Sequence, residues 1–299
     1  MTRDGRVVAH HGRQVVVEDV ALGLIPCHVR KRLGQVVCGD RVRWERTAPG
    51  QGVVVSVAPR RNLLARPDPR GKPRPLAANI DQILVVVAPR PPFSERLIDR
   101  YLVAAELAGT ETAIVINKAD LLGLKARAEV AERLRRYPDI GYPVTFAHTR
   151  SREGVATLDA LLSNRTSILV GQSGVGKSSL VRALLPDQEV RVSALSDATG
   201  LGRHTTTHTA LYPLPGGGSL IDSPGVRDFQ LWQVEPRELQ KGFREFRSYL
   251  GRCRFNDCLH RGEPGCAVEA AVASGEIAHA RLESYRELLT RAATRRARY

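Results

Sequence analysis

The hydrophobic pattern of residues 1–75 predicts a small β-barrel. Short Val-rich runs alternate with turn residues, and these runs are Arg6–Val8, Gln14–Glu18, Ile25–Arg30, Arg41–Glu45 and Gly52–Val57. Five strands at a spacing of roughly 8–12 residues are typical of an OB-fold. Cys27 and Cys38 lie in this region without neighbouring ligand residues, so we expect buried thiols. The four prolines within Arg66–Pro75 predict a linker after the barrel.

From residue 76 onward the pattern changes to alternating strands and helices. Ile83–Ala88 is a continuous aliphatic run, which is typical of a strand buried on both faces. Ser94 is a candidate N-cap for the helix that follows it. Further along we expect strand Ala113–Ile116, a helix near 125–136, strand Val144–Phe146, a helix near 155–162, strand Ser167–Val170 and a helix from Lys177. This alternation predicts an α/β domain with a parallel sheet.

The charge distribution follows a three-part division of the chain. The 299 residues include 45 Lys and Arg against 31 Asp and Glu, a net charge of +14. Basic and acidic residues number 15 and 6 in 1–75, 17 and 17 in 76–235, and 13 and 8 in 236–299. Basic flanks around a neutral centre favour an enzyme or switch held against a polyanion, most simply nucleic acid. Solvated surfaces of an arginine-rich chain are the alternative.

Composition also excludes two classes of protein as working interpretations. The longest purely aliphatic run, 83–88, is far shorter than the ~20 residues that cross a bilayer. The first residues lack the apolar core of a signal peptide. We therefore expect a cytoplasmic protein without membrane contact, whose five cysteines are thiols or metal ligands and not a disulfide frame.

A glycine-rich segment lies between the predicted strand Ser167–Val170 and the helix after it. It fits G-x-x-x-x-G-K-[ST], in which glycines let backbone N–H groups turn toward phosphate oxygens and the helix N-terminus adds partial positive charge. Lys177 is expected to bridge the β- and γ-phosphates, and Ser178 to bind Mg²⁺. The candidate phosphate-binding residues are Gly171, Gln172, Ser173, Gly174, Val175, Gly176, Lys177, Ser178 and Ser179.

A candidate base-reading motif, N-K-x-D, directly follows the predicted strand Ala113–Ile116. Its residues are Asn117, Lys118, Ala119 and Asp120. Ligands of open α/β sheets bind at this end of the strands. A carboxylate here can accept hydrogen bonds from guanine N1–H and N2–H₂, which adenine does not offer, so Asp120 would select GTP over ATP. Taken alone, the four residues are also compatible with a helix N-cap.

The order of these two motifs is the reverse of that in ordinary GTPases. Asn117 precedes Lys177 by 60 residues, although the phosphate loop ordinarily comes first. Both motifs must nevertheless meet around one nucleotide. We therefore predict a circularly permuted GTPase domain, with its motifs in the order G4-G5-G1-G2-G3.

Two later segments are candidate switch elements. Thr206 and Thr207 are candidate ligands of Mg²⁺ and the γ-phosphate, although a plain polar loop is the alternative. The D-x-x-G motif from Asp222 to Gly225 would hold Mg²⁺ through water and sense the γ-phosphate; an Asx turn is its alternative. Val226 stands where many GTPases place a water-orienting Gln, so we expect slow intrinsic hydrolysis, with His204 as the candidate catalytic substitute.

Three cysteines and one histidine cluster near the C-terminus. The pattern C-x₄-C-x-H-x₅-C comprises Cys253, Cys258, His260 and Cys266. Three thiolates and one imidazole make a closed tetrahedral site for Zn²⁺, with no open position for catalysis. We therefore expect one structural Zn²⁺ per chain, folding a module with little core of its own; free thiols are the alternative.

This combination of motifs closely resembles the YjeQ/RsgA family of circularly permuted GTPases. The resemblance is carried, in chain order, by an OB-like start, N-K-A-D, G-Q-S-G-V-G-K-S-S, G-R-H-T-T-T, D-S-P-G-V and the Cys/His pattern. It implies an OB-fold RNA-binding domain in 1–75, the GTPase domain in 76–235, and an α-helical zinc-binding domain in 236–299. It also implies a guanine contact by the Ala147 N–H, although Phe146 stands where the family more often has Ser.

The resemblance implies a GTP hydrolase that acts late in maturation of the small ribosomal subunit. Such a protein binds the 30S subunit and 16S rRNA, takes GTP or GDP with Mg²⁺, and hydrolyses GTP when the subunit stimulates it. We expect it to be a monomer. One alternative is an rRNA-binding assembly scaffold in which the nucleotide is only a structural ligand. Another is a P-loop ATPase or kinase with a fortuitous N-K-A-D.

Overall fold

The computed structural model describes residues 1–11, 14–68, 72–185, 209–223 and 234–296. Its strands are β1 (Thr2–His11), β2 (Gln14–Asp19), β3 (Gly23–Val29), β4 (Arg41–Ala48), β5 (Gln51–Val57), β6 (Leu63–Pro67), β7 (Pro73–Ala78), β8 (Gln82–Val87), β9 (Glu111–Ile116), β10 (Val144–Phe146), β11 (Thr166–Val170), β12 (Ala210–Pro213) and β13 (Ser219–Asp222). Its α-helices are α1 (Glu95–Leu107), α2 (Leu124–Arg133), α3 (Arg136–Asp139), α4 (Arg152–Ala156), α5 (Asp159–Leu162), α6 (Lys177–Leu184), α7 (Pro236–Leu239), α8 (Ala267–Ala273) and α9 (His279–Arg296). Short 3₁₀ helices cover Lys31–Leu33, Ala119–Leu121, Gln240–Gly242 and Arg244–Phe246.

The first five strands form the predicted barrel. Their order is β1-β2-β3-β5-β4, and β4 pairs back onto β1, which closes the barrel. The β3–β5 pair is parallel and the other pairs are antiparallel. Val15 and Val17 pack with Trp44 inside the barrel, whereas Val16, between them, packs into the cluster under the neighbouring sheet. Because side chains alternate along β2, its successive residues contribute to two hydrophobic cores, that of the barrel and that of the neighbouring sheet.

The central strands form the sheet of an α/β domain. In the order β10-β9-β8-β11-β13-β12, the first five strands are parallel and β12 is antiparallel at the end. Every residue of β8 is buried, as its aliphatic sequence predicts. The predicted cap is confirmed, because the Ser94 hydroxyl accepts the Leu97 N–H at 3.3 Å. The single helix predicted near 155–162 is instead α4 and α5, separated where the Thr157 hydroxyl donates to the Phe146 carbonyl.

The predicted linker at Arg66–Pro75 is wrong in part, because this segment belongs to a β-hairpin. Strands β6 and β7 pair antiparallel in a separate two-stranded sheet, with Pro67 opposite Pro73 and Pro75 opposite Ala65. Proline cannot donate to a ladder, but in a two-stranded sheet each strand has an edge where no donor is needed. The prolines that indicated a linker are therefore compatible with these edge strands.

The barrel and the α/β domain share one continuous sheet. Ala9 of β1 pairs with Ala210 of β12, and the Arg6 guanidinium donates to the Thr166 hydroxyl on β11 at 2.7 Å. Cys27 and Cys38 are buried as predicted, and burial raises the pKa of each thiol to about 12. Hydrogen bonds and packing thus fix the barrel against the sheet that carries the candidate site.

The C-terminal module has a larger core than the sequence predicts. Phe243 stacks on Phe246 at 4.9 Å between ring centroids, and Tyr285 packs edge-on against Phe243. Leu282, Leu289 and other apolar residues complete this cluster, which includes Val103 of α1. Among the helices that the structure describes, none is both long enough and apolar enough to span a membrane.

Buried ion pairs join the same module to helix α1. Arg281 and Asp99 are each 2% exposed, and their side chains are 2.5 Å apart. The Arg281 guanidinium also binds Glu245, and Asp99 accepts hydrogen bonds from Ser284 and Tyr137. A second set joins Glu106 of α1 to Arg244 at 2.7 Å and to Arg247 at 2.5 Å. Sequence patterns gave no sign of these long-range pairs.

Candidate functional site

The predicted functional residues of the α/β domain that the structure describes lie at or near the carboxyl ends of its parallel strands. The carboxyl ends of parallel strands lie on the same side of the sheet, and ligands of such sheets bind there. Asn117 follows β9, Ala147 follows β10, Gly171 follows β11, and Asp222 is the last residue of β13. The fold therefore brings together residues that are dispersed over more than 100 positions of the sequence.

The glycine-rich loop connects β11 to α6 with backbone angles that favour glycine. Gly171 has φ +147° and Gly176 has φ +91°. A Cβ added to Gly171 would lie 2.2 Å from the Val86 carbonyl oxygen, and one added to Gly176 would lie 2.4 Å from Asn117 Nδ2. Both distances are below 3.0 Å, so a side chain at Gly171 would clash with backbone, and one at Gly176 would force the Asn117 side chain to move.

Lys177 folds its side chain over the loop at the start of α6. Its Nζ donates to the carbonyl oxygens of Gly171 at 2.5 Å and Gln172 at 2.7 Å. Ser178 is exposed in the first turn of the helix, and Val175 is fully buried below the loop. The exposed residues also include Ser173 and Gly174. The Lys177 ammonium group and the N-terminus of α6 can therefore both face an anion bound at this loop.

The N-K-x-D motif contacts this loop directly. Asn117 Nδ2 donates to the Val175 carbonyl at 2.8 Å, and Lys118 Nζ donates to the Gly174 carbonyl at 2.6 Å. Lys118 has φ +58°, in the left-handed region. Asn117 is 2% exposed, and its buried Oδ1 has no hydrogen-bond partner within the described part of the chain. An unpartnered buried acceptor at this place fits a site that a ligand completes.

Asp120 forms an ion pair in the same region, beyond the carboxyl ends of β9 and β10. Its Oδ2 lies 2.9 Å from Arg150 Nε, and its side chain is 17% exposed. Arg150 belongs to the loop after β10, so this pair joins the two loops that follow β9 and β10. The Ala119 N–H strengthens the connection by donating to the Ala147 carbonyl at 3.0 Å.

The predicted donor role of Ala147 disagrees with the structure. The Ala147 N–H donates to the Ile116 carbonyl at 2.9 Å, and it continues the pairing of β10 with β9. This amide is therefore already used and does not point to a free guanine contact. Ala147 remains close to the base-reading motif through its own carbonyl, which accepts from Ala119.

Several predicted switch residues lie outside the described residues. They are His204, Thr206, Thr207, Gly225 and Val226. Asp222 is described and is half-buried at the end of β13. Next to it, the hydroxyls of Ser223 and Thr209 are 2.8 Å apart. The Ser178 hydroxyl and the Asp222 carboxylate lie near the same ends of the strands. Their oxygen atoms suit Mg²⁺, which prefers oxygen ligands.

Sequence analysis missed the segment after β8 as a neighbour of the phosphate loop. Lys118 Nζ donates to the Arg90 carbonyl at 2.8 Å, and Gln172 Nε2 donates to the Pro92 carbonyl at 3.2 Å. The sequence could have indicated this neighbour, because Arg90-Pro91-Pro92 follows the carboxyl end of a buried parallel strand, where ligands of such sheets bind.

The four predicted metal ligands meet in the C-terminal module. Cys253, Cys258, His260 and Cys266 place their ligand atoms within 4.8 Å of one another. The His260 Nδ1 lies 3.8, 3.5 and 3.2 Å from the sulfurs of Cys253, Cys258 and Cys266. A tetrahedral zinc site with ordinary bond lengths has sulfur–nitrogen separations of about 3.6 Å. The cluster therefore fits zinc binding.

The surroundings of the cluster also fit a cation held by thiolates. His260 Nε2 lies 2.8 Å from Gln240 Oε1, which orients the imidazole so that Nδ1 faces the sulfurs. The backbone N–H groups of Ala267 and Glu269 point at the sulfurs of Cys253 and Cys266, at 3.4 and 3.5 Å. Burial raises the pKa of the Cys258 thiol to about 12; a coordinated zinc ion would deprotonate it.

A family profile described as RsgA GTPase matches residues 57–232, which is more than half of the chain. The small ribosomal subunit biogenesis GTPase RsgA of Chromohalobacter salexigens is 50% identical over 297 residues, covering 98% of this chain and 87% of that protein. The protein of the same name from Azotobacter vinelandii is 48% identical over 291 residues, covering 96% of this chain and 85% of that protein.

Two solved structures resemble the chain along nearly its whole length. YjeQ from Thermotoga maritima superposes with a TM-score of 0.81 at 35% identity, covering 98% of this chain and 99% of that one. YloQ, described as a circularly permuted GTPase, superposes with a TM-score of 0.79 at 28% identity, covering 99% and 96%. The barrel, the permuted α/β domain and the C-terminal module therefore occur together in known structures.

Proposed function

The chain belongs to the RsgA GTPase family and is a GTP hydrolase, and on that premise we propose that it acts in biogenesis of the small ribosomal subunit. In this proposal the protein binds the 30S subunit through 16S rRNA late in maturation, and the subunit stimulates its hydrolysis of GTP. Relatives that are 50% and 48% identical are small ribosomal subunit biogenesis GTPases, which supports the general role. The action would be cytoplasmic, where subunits are assembled, and the protein would act as a monomer.

The contact between the two nucleotide-binding segments carries the proposal for the substrate. Asn117 and Lys118 are hydrogen-bonded to the phosphate loop, so a base held at one segment has its phosphates at the other. Asp120 would accept from guanine N1–H and N2–H₂, whereas bound adenine would offer it no such donors and leave it only its ion pair with Arg150. A site that hydrogen-bonds a group of its substrate discriminates against analogues that lack that group.

The phosphates would lie on the loop 171–176 and the first turn of α6. Lys177 would exchange its hydrogen bonds to the Gly171 and Gln172 carbonyls for phosphate oxygens, which makes charge-assisted bonds. Ser178 and Asp222, with Thr206 or Thr207 and Gly225, would hold Mg²⁺ and sense the γ-phosphate. When bound, Mg²⁺ supplies charge neutralisation of the phosphates.

Stimulation by the subunit follows from the lack of a water-orienting residue. Val226 has no polar group to position the attacking water. His204 is the candidate for that function, and we propose that the partner brings it into place. Hydrolysis in the free protein would then be slow, and binding would provide the missing part of the catalytic site.

Basic surfaces provide the proposed contact with rRNA. Arg30, Lys31 and Arg32, in and beside the turn after β3, are exposed on the barrel. Arg41 and Arg46 on β4 are also exposed. Within the described residues none of the five has a carboxylate partner within 4.0 Å, so their charges remain available to phosphates. One Zn²⁺ per chain, held by Cys253, Cys258, His260 and Cys266, would have a structural role only.

The test is GTP hydrolysis with and without purified 30S subunits. We expect a stimulation of tenfold or more, which corresponds to about 1.4 kcal/mol of activation free energy. Lys177→Ala should abolish the stimulated rate, and Arg182→Ala, a change on the same helix, is the matched control. Both variants should retain subunit binding.

Two results would favour other functions. If subunits bind without stimulating hydrolysis, and Lys177→Ala still binds and leaves them normally, the protein is an assembly scaffold with a structural nucleotide. Equal affinity for ATP and GTP would instead indicate a P-loop ATPase or kinase, because Asp120 would then have no part in base selection.

A further inference from the structure

Cationic side chains of the C-terminal module divide into a paired and an unpaired set. In 236–296, six of the ten Lys and Arg side chains that the structure describes lie within 4.0 Å of a carboxylate; they are Lys241, Arg244, Arg247, Arg281, Arg286 and Arg291. Of the remaining four, three occur between residues 252 and 261; the set without a carboxylate partner in the described part of the chain is Arg237, Arg252, Arg254 and Arg261. Arg261 donates a hydrogen bond to the Thr290 hydroxyl at 3.5 Å. The unpaired charge is therefore concentrated on one short segment.

This segment also exposes an aromatic ring. Phe255 is 43% exposed, and within the described residues it is the exposed aromatic side chain of the molecule. The Arg254 guanidinium lies 5.5 Å from the centroid of the ring. Exposed single apolar residues are common, but an exposed ring between unpaired arginines combines the two features that single-stranded nucleic acid requires: a stacking surface and charges for the phosphates.

The metal cluster fixes the backbone that carries the ring. Phe255 lies between Cys253 and Cys258, and its carbonyl accepts the Cys258 N–H at 3.2 Å. The Arg254 N–H donates to the Gly265 carbonyl at 3.0 Å. Because the segment is held at both ends, stacking on Phe255 would cost little additional backbone entropy.

The acidic groups near the segment are Glu263, Asp257 and, lining one pocket together with Asp257 and Leu259, Glu235 and Glu238. The Glu263 carboxylate accepts the backbone N–H groups of Leu259 and Arg261. Asp257 is the exposed acidic residue between 252 and 261, against three arginines. On the segment 252–261 itself three arginines outnumber one exposed carboxylate, which favours a polyanionic partner such as RNA.

We propose that Phe255 is a stacking platform for an unpaired base of RNA, with Arg252, Arg254 and Arg261 on the flanking phosphates. The inference rests on the proposed rRNA binding and adds its mode: this surface reads single-stranded RNA, not the shape of a duplex. Aromatic stacking is the usual way in which proteins hold unstacked RNA bases.

The test uses the full-length protein with zinc and compares Phe255→Ala with Phe255→Trp. Phe255→Ala should weaken binding to 30S subunits about 5- to 150-fold, the range for loss of one stacked base. Phe255→Trp should bind as the wild type does. Its additional tryptophan emission, after subtraction of the wild-type signal, should be quenched by a single-stranded oligoribonucleotide and not by the same strand in a duplex.

The salt dependence of binding distinguishes the contribution of the Phe255 ring from that of the arginines. Phe255→Ala should leave the slope of log affinity against log salt unchanged, whereas Arg252→Gln should reduce it by about 1. Leu124→Ala, which removes a 91%-exposed apolar side chain elsewhere, is the matched control and should bind normally. Equal metal content in all variants shows that the module is folded.

Three outcomes would overturn the proposal. Binding of Phe255→Ala within twofold of wild type excludes a stacked base. Weakened subunit binding without any quenching of Phe255→Trp by RNA identifies a ribosomal protein as the contact. Equal quenching by single strand and duplex excludes stacking on an unpaired base. If the wild type does not bind subunits at all, the proposed function fails, and the oligonucleotide measurement alone decides this inference.

Discussion

The nucleotide site and the metal cluster are built in opposite ways. The four cluster residues lie within one short segment, and their ligand atoms face one another. The nucleotide site takes its residues from the ends of several strands, and its parts bind each other, as Asn117 binds Val175. A local site depends on its ligand to hold a segment in place, whereas a dispersed site is held by the sheet beneath it. The first should lose its fold without ligand, and the second should lose only activity.

Removal of the metal should have the largest effect on stability. Cys258→Ser should abolish stoichiometric zinc and expose the C-terminal module to protease, because structural zinc contributes on the order of 10 kcal/mol in small zinc modules. Metal analysis and limited proteolysis measure the two effects. Cys27→Ala, at a buried thiol outside the cluster, should retain the metal. A protease-resistant module in Cys258→Ser would show that the aromatic core of Phe243 and Phe246 suffices.

Asp120→Asn should change specificity without changing the fold. An amide can donate to the oxygen of xanthine, so preference should shift from guanine toward xanthine nucleotides, with a change in the GTP-to-XTP ratio on the order of 10⁴. Competition binding measures the ratio. The thermal midpoint of the nucleotide-free protein should remain within a few degrees of wild type. A large fall in that midpoint would contradict the view that the sheet alone holds this site.

Arg281→Ala tests whether the module depends on more than its metal. The change leaves Asp99 and Glu245 as buried carboxylates without their cation, which typically costs 3–5 kcal/mol. Urea unfolding followed by a probe in the module measures the loss. Lys241→Ala removes an exposed pair with Glu238 and should change stability by less than about 0.5 kcal/mol. Similar values for the two variants would contradict a structural role for the buried pair.

The smallest effect is expected from Arg150→Ala. Arg150 is 73% exposed, so its pair with Asp120 should be worth less than about 1 kcal/mol. Affinity for GDP should therefore fall less than about fivefold, and less still at high salt. Calorimetric titration at two salt concentrations checks this. Arg152→Ala breaks a comparable pair with Asp159, away from the base, and should leave the affinity unchanged. A larger loss for Arg150→Ala would mean that this arginine sets the geometry of Asp120.

Local elements of the fold could be predicted from the sequence, and long-range ones could not. Strand Val144–Phe146 has the predicted bounds, and Ser94 caps α1 as expected. The hairpin of β6 and β7 was missed because proline-rich composition does not show which strand lies opposite. The pair of Asp99 and Arg281 spans 182 residues, and no periodicity in the sequence connects them.

The candidate site was predictable where chemistry restricts spacing. The phosphate loop and the cysteine pattern each occupy a short segment in which residue types and intervals are tied to one geometry. The adjacency of Asn117 and Val175 could be inferred because both must serve one nucleotide. The engaged N–H of Ala147 and the contact of Pro92 with Gln172 depend on how strands and loops register, which local sequence does not specify.

The shared sheet has a consequence for dividing the molecule. Because β1 lies along the edge of β12, cutting the chain near residue 75 would leave the remainder with an uncovered strand and with an apolar surface that Val8 and Val16 now fill. Exposed edges of that kind invite aggregation. The amino-terminal barrel is therefore not a detachable unit, and a force applied to it would reach β12, which pairs with the strand β13 that ends at Asp222.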